Sequence, residues 1–291
     1  MAKLILLVGP PGSGKSTLAK EYEAKGFVRI SQDDQGKGGH MDAYREAVRL
    51  KQDIIVDRMN FSIEQRKNYM VQVADDKEYE IEIIVLHQPY RVCLERMLKR
   101  EGHPTIKDEK SARSALKTFF TKYERPYDNP RFKLTFIYPE GDKPLAVICD
   151  LDGTLCDVEH RRHHVRRTDG QKKDWRSFFL GMEHDPMITP VAHILEKFQQ
   201  DNIKIVFCTG RPSDYQNMTE EWLNKQDMKY DALFMRDRHD SRQDDLVKEN
   251  ILDFEILTRF TPYFILDDRD QVVKMWRKRG YMCMQVAEGD F

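Results

Sequence analysis

Apolar residues along the chain gather in short runs bounded by turn formers: residues 4–8, 54–57, 81–86, 134–138, 145–150, 203–208, 264–267 and 282–286. Several runs are continuously apolar rather than alternating, the pattern of a strand covered on both faces in a parallel sheet. Residues 27–30 form a further short apolar stretch, where a second strand of the first sheet would end. Segments of helical period lie between the runs, such as 191–200, where Val191, Ile194, Leu195 and Phe198 share a face. Strands alternating with helices predict layered α/β architecture.

One interruption stands out. Pro139 and Pro144 enclose a glycine and three charged residues, and a new apolar strand begins directly afterwards. The pattern predicts two α/β domains, 1–140 and 141–291. A length of 291 residues, about twice a usual domain, agrees. Residues 157–186, rich in His and Arg and without strong period, read as an insertion over a site.

Composition narrows the partners. Lys and Arg (48) and Asp and Glu (49) cancel to a net charge of -1, so a polyanion must be held by local patches rather than a global field. The five cysteines, Cys93, Cys149, Cys156, Cys208 and Cys283, include no CxxC pair and read as reduced residues of a cytoplasmic protein. No run approaches the ~18–20 apolar residues of a membrane span. The first run is too short for a signal peptide and passes straight into glycines, so no membrane partner is expected.

Those glycines carry the first chemistry. Gly9-Pro10-Pro11-Gly12-Ser13-Gly14-Lys15-Ser16-Thr17 fits G-x-x-x-x-G-K-[ST], between a strand and a helical segment over 17–24. Backbone N–H groups of such a loop close around phosphate oxygens at a helix N-terminus. Lys15 would reach the β- and γ-phosphates of ATP, and Ser16 would hold Mg2+. Phosphoryl transfer to an alcohol needs a base, and Asp33, just past the 27–30 stretch, is the candidate; capping the next turn is the alternative for Asp33 and Asp34. Asp57 ends another strand and would orient the acceptor or the metal, with helix capping by Asn60 or Ser62 as the plainer reading. Arg96, Arg100 and Arg113 are candidates for a lid cation over the transferring phosphoryl group.

The second chemistry begins at Asp150-Leu151-Asp152-Gly153-Thr154, which resembles the D-x-D-G-T signature of haloacid dehalogenase-type phosphatases. The first carboxylate, at a strand end, would attack phosphorus, and the second, two residues on, would serve as acid and base. Thr209, Gly210 and Arg211 are the expected phosphate-binding motif, and Lys248 would neutralise the nucleophile. Asp267 and Asp268 would complete a Mg2+ site with Asp150 and Asp152. The stretch 160–167, containing His160, His163, His164, Arg166 and Arg167, allows three readings: a metal site of three histidines, a basic surface for a polyanion, or a solvated loop.

A phosphate-cradling kinase loop followed by D-x-D-G-T resembles the bifunctional polynucleotide 5′-kinase/3′-phosphatases of the T-even phages. The likeness is densest at residues 244–249, 266–276 and 285–291. It implies a P-loop parallel-sheet kinase followed by a haloacid dehalogenase-like phosphatase with a small cap. It also implies ATP as donor, Mg2+, DNA or RNA ends as substrates, a ligase acting downstream, and self-association into a homo-oligomer. Carried over, Asp33 is the general base, Arg100 the lid arginine, Asp150 the nucleophile and Asp152 its acid/base. Opening of a 2′,3′-cyclic phosphate would fit the same family.

Three positions depart from it: Gln32 stands where the phage enzymes have arginine, Thr209 replaces a serine, and the stretch 36–39 lacks the cation that follows in the family, although Lys37 lies within it. A kinase and a phosphatase on one chain avoid a futile cycle when one acts at a 5′-OH and the other at a 3′ end. The alternatives are a small-molecule kinase/phosphatase and a nucleotide-gated scaffold. The scaffold would have lost nucleophiles that this chain keeps.

Overall fold

The computed structural model describes residues 1–36, 38–74, 78–100, 108–166 and 172–289. Contacts between Cα atoms divide the chain into Met1–Glu140 and Gly141–Phe291.

The first unit is built on a parallel sheet of β1 (Ala2–Val8), β2 (Val28–Ser31), β3 (Ile54–Asp57), β4 (Tyr79–Leu86) and β5 (Lys133–Ile137). Their order is β2-β3-β1-β4-β5, with every pair parallel. Leu4 to Val8 are all buried, which is why this strand is apolar throughout instead of alternating. The crossing helices include Lys15–Glu23, Gly39–Arg49, Ile63–Met70, Tyr90–Leu98 and Glu109–Lys122. The strand ends Gly9, Ser31 and Asp57 therefore share one edge of the sheet, where a ligand crevice forms in open α/β sheets.

The second unit repeats the layer plan with β6 (Leu145–Cys149), β7 (Lys204–Pro212), β8 (Ala232–Arg236), β9 (Thr261–Asp267) and β10 (Cys283–Gln285). The order is β10-β9-β6-β7-β8, again parallel. Val147, Phe207, Leu266 and Trp222 pack on one side of it. Ile148, Val206, Ile265 and Trp276 pack on the other.

Three features differ from the sequence expectation. The strand β8 was not expected, because only Phe234 of its five residues is buried and its flanks are charged. Strand β7 runs on to Pro212, with a register shift between Thr209 and Pro212 against β8. The helix expected over 191–200 begins earlier, at Thr189, with Pro190 in its first turn, where a missing N–H costs nothing. Within 157–186 the chain forms the short helices Glu159–Arg162 and Trp175–Leu180. All five cysteines are buried, and none of them forms a disulfide. Among the described residues no helix is long and apolar enough to cross a membrane.

Candidate active sites

In the first unit the sheet edge opens on a cavity of 360 Å³ lined by Gly12, Gly14, Lys15, Ser16, Asp33, Asp57, Arg58 and Arg100. The loop approaches it closely because Gly12 has φ +83 and a Cβ there would lie 2.6 Å from the carbonyl oxygen of Cys93. Lys15 donates through Nζ to the carbonyls of Gly9 at 2.8 Å and Pro10 at 2.7 Å. Burial pulls its pKa down to about 8, with Asp57 opposing.

Asp33 is exposed on the short helix Gln32–Gln35. The N-cap of that helix is Ser31, whose Oγ accepts from the Asp34 backbone at 3.4 Å, so Asp33 is not spent on capping. Asp57 accepts Arg29 Nε at 3.1 Å and Nη2 at 2.6 Å, while Ser62 caps the helix Ile63–Met70. Of the three candidate lid arginines, Arg100 lines the cavity and Arg96 Nη1 reaches Gly12 O at 3.3 Å. Arg113 does not join them: it pairs with Glu109 one turn away, on a solvated helix face.

In the second unit Asp150 follows β6 and Asp267 ends β9, neighbouring strands that place their terminal carboxylates together. Lys248, fully buried, puts Nζ 3.0 Å from Asp150 Oδ1 and 3.0 Å from Asp267 Oδ2. Asp267 Oδ2 also accepts Trp276 Nε1 at 3.1 Å, so its charge is already well compensated. The Asp150 contact lacks hydrogen-bond alignment. Its Oδ1 and Asp268 Oδ2 are both buried without a hydrogen-bond partner. Asp268 Oδ1 accepts Thr154 Oγ1 at 3.1 Å.

Carboxylate oxygens of Asp150, Asp267 and Asp268 lie within 4.8 Å of one another. Burial pushes Asp150 well above the usual carboxylate range against the pull of Lys248, and burial beside Asp267 raises Asp268 to about 7. Lys248 rises well above its ordinary value because Asp150, Asp267 and Asp244 outweigh its burial. Three clustered buried carboxylates, two of them paired with Lys248 and two with unsatisfied oxygens, fit a hard divalent cation such as Mg2+.

The Asp152 side chain stands apart from that group and lies instead with Cys156 and Asp185. Arg211 Nε donates to both its oxygens at 3.0 Å, and Arg161 Nη2 lies 2.6 Å from its Oδ1. Burial would raise the Asp152 carboxyl, but Arg211 and Arg161 hold it well below the usual range. Both guanidiniums also reach Asp185, Arg161 through Nε at 2.7 Å and Arg211 through Nη2 at 3.4 Å. Arg211 is thus fully buried on carboxylates, and its side chain is not offered to the cavity as a phosphate ligand. Thr209 and Gly210 do line that cavity, which measures 530 Å³ and also touches Asp150, Asp152 and Asp268.

Sequence reasoning missed Arg161, Asp185 and the far walls of this cavity. Trp175, Phe178 and Phe179 of the 157–186 insertion form one wall, with Arg236, Arg242 and Arg269 on the rim. His160 pairs with Asp185 at 2.8 Å, and the rings of His163 and His164 lie 4.0 Å apart. Among the described residues no group of three histidines exists that could bind a metal. Arg167 lies outside the described residues.

Comparison with known proteins bears on both units. Residues 5–117 match an AAA domain model. Over 307 aligned residues the chain is 26% identical to a protein of Autographa californica nuclear polyhedrosis virus provisionally named bifunctional polynucleotide kinase/RNA ligase, covering 94% of this chain and 41% of that one. It is 36% identical over 87 residues to a bifunctional polynucleotide phosphatase/kinase of Schizosaccharomyces pombe, covering 29% of this chain and 21% of the relative. The chain thus spans less than half the length of these curated relatives. Among solved structures, a chain from the Pnkp1/Rnl/Hen1 RNA repair complex is 28% identical, with 100% of this chain and 97% of that one covered and a TM-score of 0.44. Residues 144–291 match the model of the polynucleotide kinase PNKP phosphatase domain, and the chain belongs to that family.

Proposed function

We propose that the protein heals nucleic-acid ends: residues 1–140 transfer the γ-phosphate of ATP to a 5′-OH, and residues 141–291 remove a 3′-phosphate. The observation that carries this reading is the pairing of buried Lys248 with Asp150, beside the unsatisfied Asp268, beneath a wall of aromatic side chains. A carboxylate nucleophile needs such a cation to approach an anionic phosphate, and an aromatic wall suits a nucleotide base.

In the phosphatase half, Asp150 attacks phosphorus, the bond to the 3′ oxygen breaks, and an aspartyl-phosphate forms. Asp152 gives the departing oxygen its proton and later takes one from the water that hydrolyses the intermediate. The arginine clamp keeps Asp152 ionised, the form the second step needs. The approach of the substrate's negative phosphate opposes the guanidiniums and favours the protonated form the first step needs. Thr209 and the backbone at Gly210 hold phosphate oxygens. Asp150 and Asp268 would hold Mg2+, which neutralises the phosphate charge.

In the kinase half, the Gly9–Ser16 loop and Lys15 bind the triphosphate, with Ser13 and Thr17 completing the cradle, and Ser16 would hold Mg2+. Asp33 takes the proton of the 5′-OH, and Arg100 stabilises charge on the transferring group. Asp57, fixed by Arg29, orients the acceptor side of the cavity. A ligase working downstream in the cytoplasm, self-association, and opening of a 2′,3′-cyclic phosphate belong to the same reading; the viral relative's name itself pairs kinase with RNA ligase. Incubating the protein with a 5′-OH, 3′-phosphate oligonucleotide, ATP and Mg2+, then analysing both ends, tests the proposal. An oligonucleotide unchanged at both ends refutes it.

A further inference from the structure

We infer that Arg58 grips the phosphodiester next to the acceptor 5′-OH, supplying the cation that position 32 lacks. The inference rests on the kinase reading of the first unit. Strands β2 and β3 pair in parallel with Ser31 opposite Asp57, so Gln32 and Arg58 leave adjacent strand ends side by side. Arg58 lines the same cavity as Lys15, Ser16 and Asp33.

The arginine is held in place from behind. Its Nη1 donates to Tyr69 OH at 2.9 Å and lies 3.4 Å from His40 Nε2. His40 is buried, and its Nδ1 lies 3.0 Å from Gly36 O. A proton on Nδ1 makes Nε2 an acceptor, the form that suits a neighbouring guanidinium. Tyr69 is buried as well, packed edge-on to Tyr44 with ring centroids 5.0 Å apart. Neither backing group is a carboxylate, so they orient Arg58 without adding an anion beside its charge. Asp57, one residue away, is already taken by Arg29.

Among the described residues Nε and Nη2 of Arg58 have no protein acceptor, which leaves an N–H edge for an anion. A planar fork with two parallel donors matches a phosphate oxygen pair. The triphosphate is served by the Gly9–Ser16 loop and Lys15, so Arg58 is assigned to the anion of the acceptor. For a 5′-OH end the nearest such anion is its first internucleotide phosphate. Gly36 is tied to this device through its carbonyl contact with His40.

Two dinucleoside acceptors with a 5′-OH test the assignment, one joined by a phosphodiester and one by a neutral methylphosphonate. Neither linkage is a substrate for a phosphomonoesterase, so the second unit does not interfere. The unaltered protein should show a KM for the charged acceptor lower by about tenfold to a hundredfold, the scale of a charge-assisted hydrogen bond. Arg58→Gln should erase that preference, Arg58→Lys should keep part of it, and the KM for ATP should stay unchanged in both. Equal KM values for the two acceptors with the unaltered protein would overturn the inference without any variant. So would an Arg58→Gln protein that keeps the preference or loses ATP affinity instead. If Arg58→Gln does not fold, a preference fully retained in Arg58→Lys also counts against the fork geometry. An unaltered protein that phosphorylates neither acceptor overturns the kinase reading and this inference together.

Discussion

Arg211 Nε donates to both carboxylate oxygens of Asp152 at 3.0 Å, with the guanidinium fully buried and the carboxylate nearly so. Arg161 approaches the same carboxylate, and Asp185 balances the second charge. Two cations and two anions form a closed group beneath the phosphatase cavity. Removing one anion from such a group leaves a buried charge uncompensated. Asp152→Ala should therefore destabilise the second unit by about 3 kcal/mol, beyond its effect on turnover. Denaturant titration of the variant checks this, and an unchanged midpoint would contradict the closed-group account.

Asp150 and Asp152 should fail in different ways. Asp150→Asn removes the carboxylate that attacks phosphorus and should abolish hydrolysis of every phosphate ester. Asp152→Asn keeps the nucleophile, although only its amide oxygen can still accept from Arg211 and Arg161. It should lose at least about 10²-fold on a nucleotide 3′-phosphate, the usual scale for acid–base catalysis, and lose less on an activated aryl phosphate whose leaving group needs no proton. Parallel turnover measurements with both substrates decide it. Equal losses on the two substrates would argue against Asp152 as the proton donor.

Lys15→Ala should abolish 5′ phosphorylation and leave 3′-phosphate removal within about tenfold of normal, a difference of ~1.4 kcal/mol. The reason is that Lys15 hydrogen-bonds to carbonyls of its own loop, while Asp150 and Lys248 belong to the other compact unit. Asp33→Asn should lower kinase turnover by roughly 10²-fold or more without weakening ATP binding. Assays of both ends on one oligonucleotide give the rates, and repeating the 5′ assay over a range of ATP concentrations gives the ATP affinity. A collapse of ATP affinity in Asp33→Asn would make Asp33 a ligand-holding residue instead of a base.

The parts legible in the sequence are those where chemistry demands a fixed local spacing. Gly12 and Gly14 with Lys15, and Asp150 with Gly153, each sit at a strand end whose apolar run announces it. Gly153 has φ +87, and a Cβ there would collide with the Asp268 carboxylate, so its place in the motif is steric. Arg161 was illegible because four arginines share the stretch 160–167, and only tertiary packing against Phe178 and Asp185 turns this one inward. At Arg211 the motif marks a phosphate-binding turn, and burial gives the side chain itself to Asp152. Strand β8 escaped notice because an edge strand with one buried side chain leaves little apolar signal.

The aromatic wall of the phosphatase cavity yields the last expectation. Of the three tryptophans, Trp222 and Trp276 are buried, whereas Trp175 is 40% exposed and lines the cavity. Its ring is stacked near Phe179, with centroids 5.9 Å apart and planes at 22°, and Phe178 meets it edge-on at 5.8 Å. One face is thus supported by packing. A base stacking against this side chain would gain about 1–3 kcal/mol. Collisional quenching by acrylamide should report mainly on Trp175, since the other two are inaccessible. In an Asp150→Asn background, which prevents turnover, an oligonucleotide with a 3′-phosphate should protect that emission from acrylamide, and glycerol 3-phosphate should not. Trp175→Ala in the active protein should raise KM for the oligonucleotide by roughly tenfold, within the range that stacking energy allows, and leave glycerol 3-phosphate hydrolysis unchanged. Equal protection by both ligands would mean that the wall senses phosphate alone, and an unchanged oligonucleotide KM in Trp175→Ala would remove the base from this face of the cavity.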